Sequence, residues 1–342
     1  VTSRDVASLA GVSRTTVSVV LNNAPGINIS PATRQRVIDA ANHLGYVPDA
    51  AAQALVSGRA RIIGLILARR SYHISSDAFI PQILEGLLDT IHQHDLRLLV
   101  DIVDPEHQEQ AYLHLVRANR IDGILLSGPL TDDLALRVLQ KEGFPTVIIG
   151  QIPEADLWSV DIDNCAAART ATTHLIRLGH TRIAFVSNAP PMYAAAADRL
   201  RGYRQALESY SIAFDPSLVR YGDFTMDSGY QQMCSLLDGE SRFTAAFIAS
   251  DTLAVGAKAA ILERNFRVPE DIALVGFDDL PFARYTEPAL TTIRLPVTEL
   301  ASYASNLLIR IMNGERPEKT GITLDVELVV RDSCGARVLS TH

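Results

Sequence analysis

The chain has 342 residues, 47% hydrophobic and 20% charged, with a formal net charge of −8. That length exceeds one ordinary core and suits a small domain joined to a large one, and the composition excludes a disordered or low-complexity chain. No apolar run reaches the roughly 18–20 residues of a membrane span, the first residues lack a signal-peptide plan, and the scattered Cys165, Cys234 and Cys334 fit inert thiols in a reducing compartment; a cytoplasmic protein without cofactor or metal is expected. The charge is uneven. Residues 1–60 hold Arg4, Arg14, Arg34, Arg36 and Arg59 against Asp5, Asp39 and Asp49, a net +2 that leaves −10 on the remainder, and a basic head on an acidic body is compatible with a polyanionic partner such as DNA.

The first 46 residues read as three short helices. Val6, Ala7 and Ala10 fall at helical spacing before Gly11, which is free to take positive φ at a turn. Ser13 is placed to cap a second helix over about 14–21, whose Val17, Val20 and Leu21 form one apolar stripe. Ser30-Pro31 opens a third, with Val37, Ile38, Ala41 and Leu44 inward and Gly45 as its stop. In the linker at 47–60, Asp49 and Gly58 bound a helix of about nine residues, shorter than the roughly 12–15 at which an isolated helix is even marginal, so it is expected to be helical only when something holds it.

From Arg61, apolar strands alternate with helix-length amphipathic stretches. Strands are predicted at 62–67, 96–102, 121–126, 146–150, 183–187, 245–250, 272–277 and 291–295, an alternation that means parallel sheets covered on both faces. An eight-stranded barrel competes, but the spacing is irregular around 151–163 and 214–225. Two doubly wound lobes fit better, the N-lobe about 61–160 and 291–322 and the C-lobe about 161–290 and 323–342. Ligands of such lobes bind beyond the carboxyl ends of strands, in the crevice between lobes, which points to Asp163, Ser250, Asp251 and Asp278.

Opposite its apolar stripe the second helix presents Arg14, Thr15, Ser18, Val19 and Asn22. If it is the reading helix of a helix-turn-helix, its first residues Arg14 and Thr15 reach base edges in the major groove, with Arg14 the candidate for a guanine. Thr2, Ser13, Thr16, Asn22, Thr33 and Arg34 lie near helix ends and suit phosphates. Read alone, these are equally well capped surface helices. The string Asp5-Val6-Ala7-Ser8-Leu9-Ala10-Gly11-Val12-Ser13-Arg14-Thr15-Thr16-Val17-Ser18, however, closely resembles the lac repressor (LacI/GalR) family. So do Leu44-Gly45-Tyr46-Val47-Pro48, Leu178-Gly179-His180-Thr181-Arg182, Arg199-Leu200-Arg201-Gly202-Tyr203 and Val275-Gly276-Phe277-Asp278-Asp279, so that the likeness spans essentially the whole chain.

The resemblance implies an all-α helix-turn-helix head, a hinge helix and an α/β periplasmic-binding-protein-like domain. Functionally it implies a repressor that binds a pseudo-palindromic operator as a homodimer, under control of a small-molecule effector with sugar as the first guess. It further implies that hinge residues including Ala52 and Leu55 enter the minor groove, Leu55 as an apolar wedge that kinks the DNA. It places Arg199 and Asp278 on the effector, Phe79 stacked on it and Phe224 at the cleft rim, with Tyr72, Tyr193 and Trp158 as further lining; an interdomain ion pair or plain core is the other reading of these residues. Val19 and Gln53 stand where the family often has arginine, Val19 then meeting a thymine methyl, and Ser250 stands where it often has asparagine. The motifs of serine hydrolases, dinucleotide-binding folds, phosphate-binding loops and zinc proteases are absent, which argues against an enzyme. A periplasmic-type binding protein without DNA function is the remaining alternative.

Overall fold

The computed structural model describes residues 1–22, 27–47, 49, 58–104, 108–117, 120–152, 157–318 and 320–336. The expected hinge helix, with Ala52, Gln53 and Leu55, lies outside the described residues. The chain forms two compact units, residues 1–62 with 119–122, and 63–118 with 123–342.

In the first unit, each helix carries its own start and stop signals. Helix α1 (Ser3–Ala10) opens with the Asp5 carboxylate accepting from the Thr2 backbone N–H at 2.8 Å and from its hydroxyl at 3.0 Å, and closes on Gly11 at φ 64°. Helix α2 (Arg14–Leu21) is capped by Ser13, whose hydroxyl accepts from the Thr16 N–H at 3.0 Å. Helix α3 (Pro31–Leu44) begins at Ser30, which accepts from the Thr33 N–H at 3.2 Å, and ends on Gly45 at φ 60°. Each cap satisfies backbone groups that a helix end leaves unpaired. Val6, Ala7, Ala10, Val17, Val20, Val37, Ala40 and Ala41 interlock as the core, with Ile38 and Leu44 packed at its margin.

The second unit is built on two open six-stranded sheets, not a closed barrel. The N-lobe sheet has the order β11-β5-β4-β3-β1-β2, made of β1 (Ile62–Ala68), β2 (Arg97–Val103), β3 (Gly123–Ser127), β4 (Thr146–Ile149), β5 (Trp158–Ile162) and β11 (Gly321–Leu324). The C-lobe sheet, β12-β10-β9-β8-β6-β7, is made of β6 (Ile183–Ser187), β7 (Val219–Tyr221), β8 (Ala245–Ile248), β9 (Ala273–Asp278), β10 (Thr291–Arg294) and β12 (Glu327–Val329). Only β12 runs antiparallel to its neighbour among the pairings β1–β3, β3–β4, β4–β5, β5–β11, β6–β7, β6–β8, β8–β9, β9–β10 and β10–β12.

The lobe bounds differ from those expected. Thr291–Arg294 pairs with β9 and belongs to the C-lobe, whereas all of β5 and β11 belong to the N-lobe. After β10 the chain crosses to the N-lobe as helix α12 (Val297–Met312), which packs on α5 (Phe79–Gln93), and returns between β11 and β12. Lobe membership follows from non-local pairing, which a strand's own residues do not encode.

Paired helices cover the C-lobe sheet. Helix α8 (Asn164–Arg177) lies on α9 (Ala194–Ser209), and α10 (Met226–Leu237) on α11 (Asp251–Glu263). At the second contact Gly256 faces the Met226 carbonyl so closely that a Cβ would overlap it. Because both partners are backbone, neither can rotate away, and overpacking of this kind costs about 1–3 kcal/mol. Gly256→Ala is expected to lower unfolding free energy by about that amount in urea titration; an unchanged midpoint would show that the two helices separate freely.

Candidate DNA-reading head and effector cavity

At the start of α2 the head exposes Arg14 and Thr15. The Arg14 Nε donates to the Ser3 hydroxyl at 3.4 Å, a long bond that leaves most of the guanidinium edge available. Among the residues assigned to phosphates, Ser13 and Thr16 share a hydroxyl contact of 2.9 Å, Asn22 donates to Ser18 at 3.1 Å, and Arg34 donates to the Val20 carbonyl at 3.4 Å. Thr2 and Thr33 belong to the capping contacts of α1 and α3. Val19 departs from expectation: placed on the polar face from its spacing, it is only 7% exposed. Three valines within four positions give α2 more apolar surface than one stripe, so Val19 does not stand open as a thymine reader.

In the second unit a cavity of about 90 Å³ lies between the lobes, at the carboxyl ends of the strands. Six expected effector residues line it: Phe79 at the start of α5, Tyr193, Arg199 of α9, Phe224, Ser250 and Asp278. Two do not. Tyr72 is largely exposed and donates its hydroxyl to Asp223. Asp163 is spent as the N-cap of α8, accepting from the Ala166 N–H at 2.8 Å. Trp158 also turns away from the cavity to pack against the hydrophobic core. Asp161, Asn164, Asp77, Asn188 and Arg69 line the cavity although none was singled out. Arg69 lies just past β1, where the strand-end rule points; Asp163 likewise lies just past β5, but its carboxylate is taken by the cap of α8, and Asp161 within the strand meets the cavity instead.

Buried charge dominates the site. Arg199 is 6% exposed; its Nε donates to Asn164 Oδ1 at 2.9 Å, its Nη1 to the Ala249 carbonyl at 2.8 Å, and its Cζ lies 3.8 Å from the centroid of Phe277. Asn164 in turn donates to both oxygens of Asp161, at 3.1 and 3.3 Å. Burial pushes the Asp161 carboxyl up to about 7, opposed by hydrogen bonding from the Ile162 N–H and by the Arg199 charge. Burial likewise raises Asp278 to about 7, with Arg199 pulling the other way. Asp251, raised by burial, is structural: it accepts from the Leu280 N–H at 2.8 Å and the Thr292 hydroxyl at 2.7 Å, tying β9 and β10 to the start of α11.

The lobes meet along a polar and aromatic seam beside the cavity. The Thr131 N–H donates to the Met192 carbonyl at 2.9 Å and the Ala194 N–H to the Pro129 carbonyl at 3.1 Å, a short antiparallel bridge. Tyr193 donates across the seam to the Ala68 carbonyl at 3.0 Å, and its ring meets Phe224 edge to face at 5.1 Å. An arginine, carboxyls and aromatic faces around one cavity suit a hydroxylated ring, since charged groups bracket hydroxyls and an aromatic face covers apolar ring surface.

Comparison with known proteins places both units. Residues 2–49 match the model of bacterial regulatory proteins of the lacI family, and residues 172–334 that of periplasmic binding protein-like domains. The transcriptional regulator CelR of Thermobifida fusca is 35% identical over 96% of each chain. The chain belongs to the lacI family of bacterial regulatory proteins. Another lacI-family relative, the repressor CytR of Escherichia coli K12, is 34% identical over 98% of this chain and 96% of its own. Among solved structures, the lac repressor dimer bound to operator and the anti-inducer ONPF is 30% identical, with a TM-score of 0.86 over 98% of this chain and 99% of that one. A CelR–cellobiose complex is 34% identical, with a TM-score of 0.74 over 97% and 99%. The protein is thus a DNA-binding transcription regulator with a helix-turn-helix head and a two-lobed effector domain, and the alternative of a binding protein without DNA function is set aside.

Both raised carboxyls have a signed consequence. A folded-state value above the ordinary 3.8 means that folding takes up protons between 3.8 and about 7, so the stability these groups permit is present below that window and is lost as pH rises through it. Asp278→Asn removes one of the two titrations. In thermal melts from pH 4 to 8 the variant is expected to lose less stability with rising pH than the parent; parallel profiles would mean that Asp278 is ionised throughout.

Proposed function

We propose that this lacI-family regulator is a repressor that binds a pseudo-palindromic operator as a homodimer and changes its hold on DNA when a small molecule occupies the interlobe cavity. The observation that carries this reading is the exposed Arg14–Thr15 pair at the capped start of α2, on the same chain as an interlobe cavity lined by charged and aromatic side chains. Arg14 and Thr15 read bases in the major groove, with Ser18 on the same face, while Thr2, Ser13, Thr16, Asn22, Thr33 and Arg34 face phosphates and set the register. Ala52 and Leu55, outside the described residues, are assigned to the hinge that enters the minor groove.

Phe79, Tyr193, Arg199, Phe224, Ser250 and Asp278 are assigned to the effector, for which a hydroxylated, carbohydrate-type molecule fits best. The cellobiose of the CelR complex and the operator-bound dimer of the lac repressor support that effector class and the dimer. No helix among the described residues is long and apolar enough to cross a membrane. A regulator of this kind works beside its DNA, in the cytoplasm and on the nucleoid, and the reading gives it no catalytic step.

Selection of duplexes from a random library is expected to enrich two half-sites in opposite orientation. Arg14→Ala is expected to relax the preference at one position of each half-site by about 1–3 kcal/mol. Enrichment no greater than for mixed-sequence DNA would remove sequence-specific recognition from the account.

A further inference from the structure

The cavity holds two arginines, and they are satisfied very differently. Arg199 is held by Asn164, the Ala249 carbonyl and the face of Phe277. Arg69, directly after β1, is 7% exposed and lines the same cavity, yet its Nη1 makes one hydrogen bond, to the Ala68 carbonyl at 3.1 Å, and its Nε has no hydrogen-bond partner. The nearest carboxylate, Asp77, stands 3.9 Å from Nε, beyond hydrogen-bonding distance. The Phe224 ring covers one face of the guanidinium, its centroid 3.7 Å from Cζ. The chain also clears room for this side chain: a Cβ at Gly128 would overlap Nη1. The Tyr193 side chain also interacts with this guanidinium, but a buried Nε–H without a hydrogen-bond partner is costly unless one arrives.

A second orphan faces the same space. Asn188 Oδ1 is buried without a hydrogen-bond partner and lines the cavity. It asks for a donor such as a hydroxyl, while Arg69 asks for an acceptor, and the fork geometry favours a planar carboxylate. From this arrangement we infer that Arg69 selects the effector's chemical class: a hydroxylated ring compound bearing a carboxylate, of the uronic-acid type, whose acid group pairs with the Arg69 guanidinium. The inference rests on the reading of the cavity as the effector site. Asp77 lines the same cavity, where burial raises its carboxyl and the Arg69 charge pulls it down. A phosphate, with its greater charge, would be set against Asp77, Asp161 and Asp278 in a cavity of about 90 Å³.

Calorimetric titration of the full chain tests this with D-glucuronate and D-galacturonate beside D-glucose, D-galactose and glucose 6-phosphate. One uronate is expected to bind at least about tenfold more tightly than its neutral counterpart and than the phosphate. Arg69→Gln is expected to erase the preference for the uronate over its neutral counterpart. The comparison on the parent chain is decisive by itself if the variant fails to fold. Neutral sugar or phosphate binding as tightly as the uronates would overturn the carboxylate assignment and leave the effector-site reading standing. No binding by any of the five compounds would overturn both.

Discussion

The Arg199 charge sits in the interior of the two-lobed unit, and its surroundings are arranged around keeping it there. An unpaired buried guanidinium would cost several kcal/mol; here an asparagine, a backbone carbonyl and an aromatic face hold it at once. Those partners come from α8, from the end of β8 and from β9, so one side chain fastens three elements at the point where strands end. Asp161 and Asp278 stand beside it with carboxyls raised to about 7. A ligand entering between the lobes would meet this charged cluster directly. Such contact is what a sensor needs, because a ligand shifts a two-state equilibrium only through unequal interaction with the two states.

The head meets a different constraint. Eight small and medium side chains form its core, so helix caps carry an unusual share of its definition. Ser13 and Ser30 fix where α2 and α3 begin, and Gly11 and Gly45 end α1 and α3 in a conformation that other residues adopt only at a cost. By holding the start of α2 rigid, Ser13 also holds Arg14 and Thr15. The positions proposed to read bases are therefore fixed by capping, and the net positive head offsets an acidic remainder that phosphate would repel.

Legibility in the sequence followed the locality of each signal. Caps, glycine stops and the alternation of apolar strands with helices are written in neighbouring residues, and the head and the two-lobed architecture were readable from them. Asp163 does follow the end of β5, Trp158-Ser159-Val160-Asp161-Ile162, but its carboxylate caps α8, and Asp161 within the strand lines the cavity instead; a position at a strand end does not show which side chain the next helix takes as its cap. Thr291–Arg294 was assigned to the wrong lobe because only its pairing with β9 reveals its sheet. Val19 was read from helical angle alone, and its burial depends on packing that angle does not capture. Arg69 stands just past β1, where the strand-end rule points, but it matches no motif, and that its side chain turns into the cavity is seen in the fold.

The central claim is that closure of the lobes over the cavity governs the grip on DNA. Thr131 and Met192 stand opposite one another where the lobes touch, so a Thr131→Cys/Met192→Cys chain would hold the lobes in this arrangement on oxidation. Operator affinity of that chain should then differ between its oxidised and reduced forms by about 5- to 150-fold, the usual range of allosteric coupling. Equal affinity in the two forms would contradict the account, leaving a DNA-binding head and a ligand cavity on one chain without communication between them.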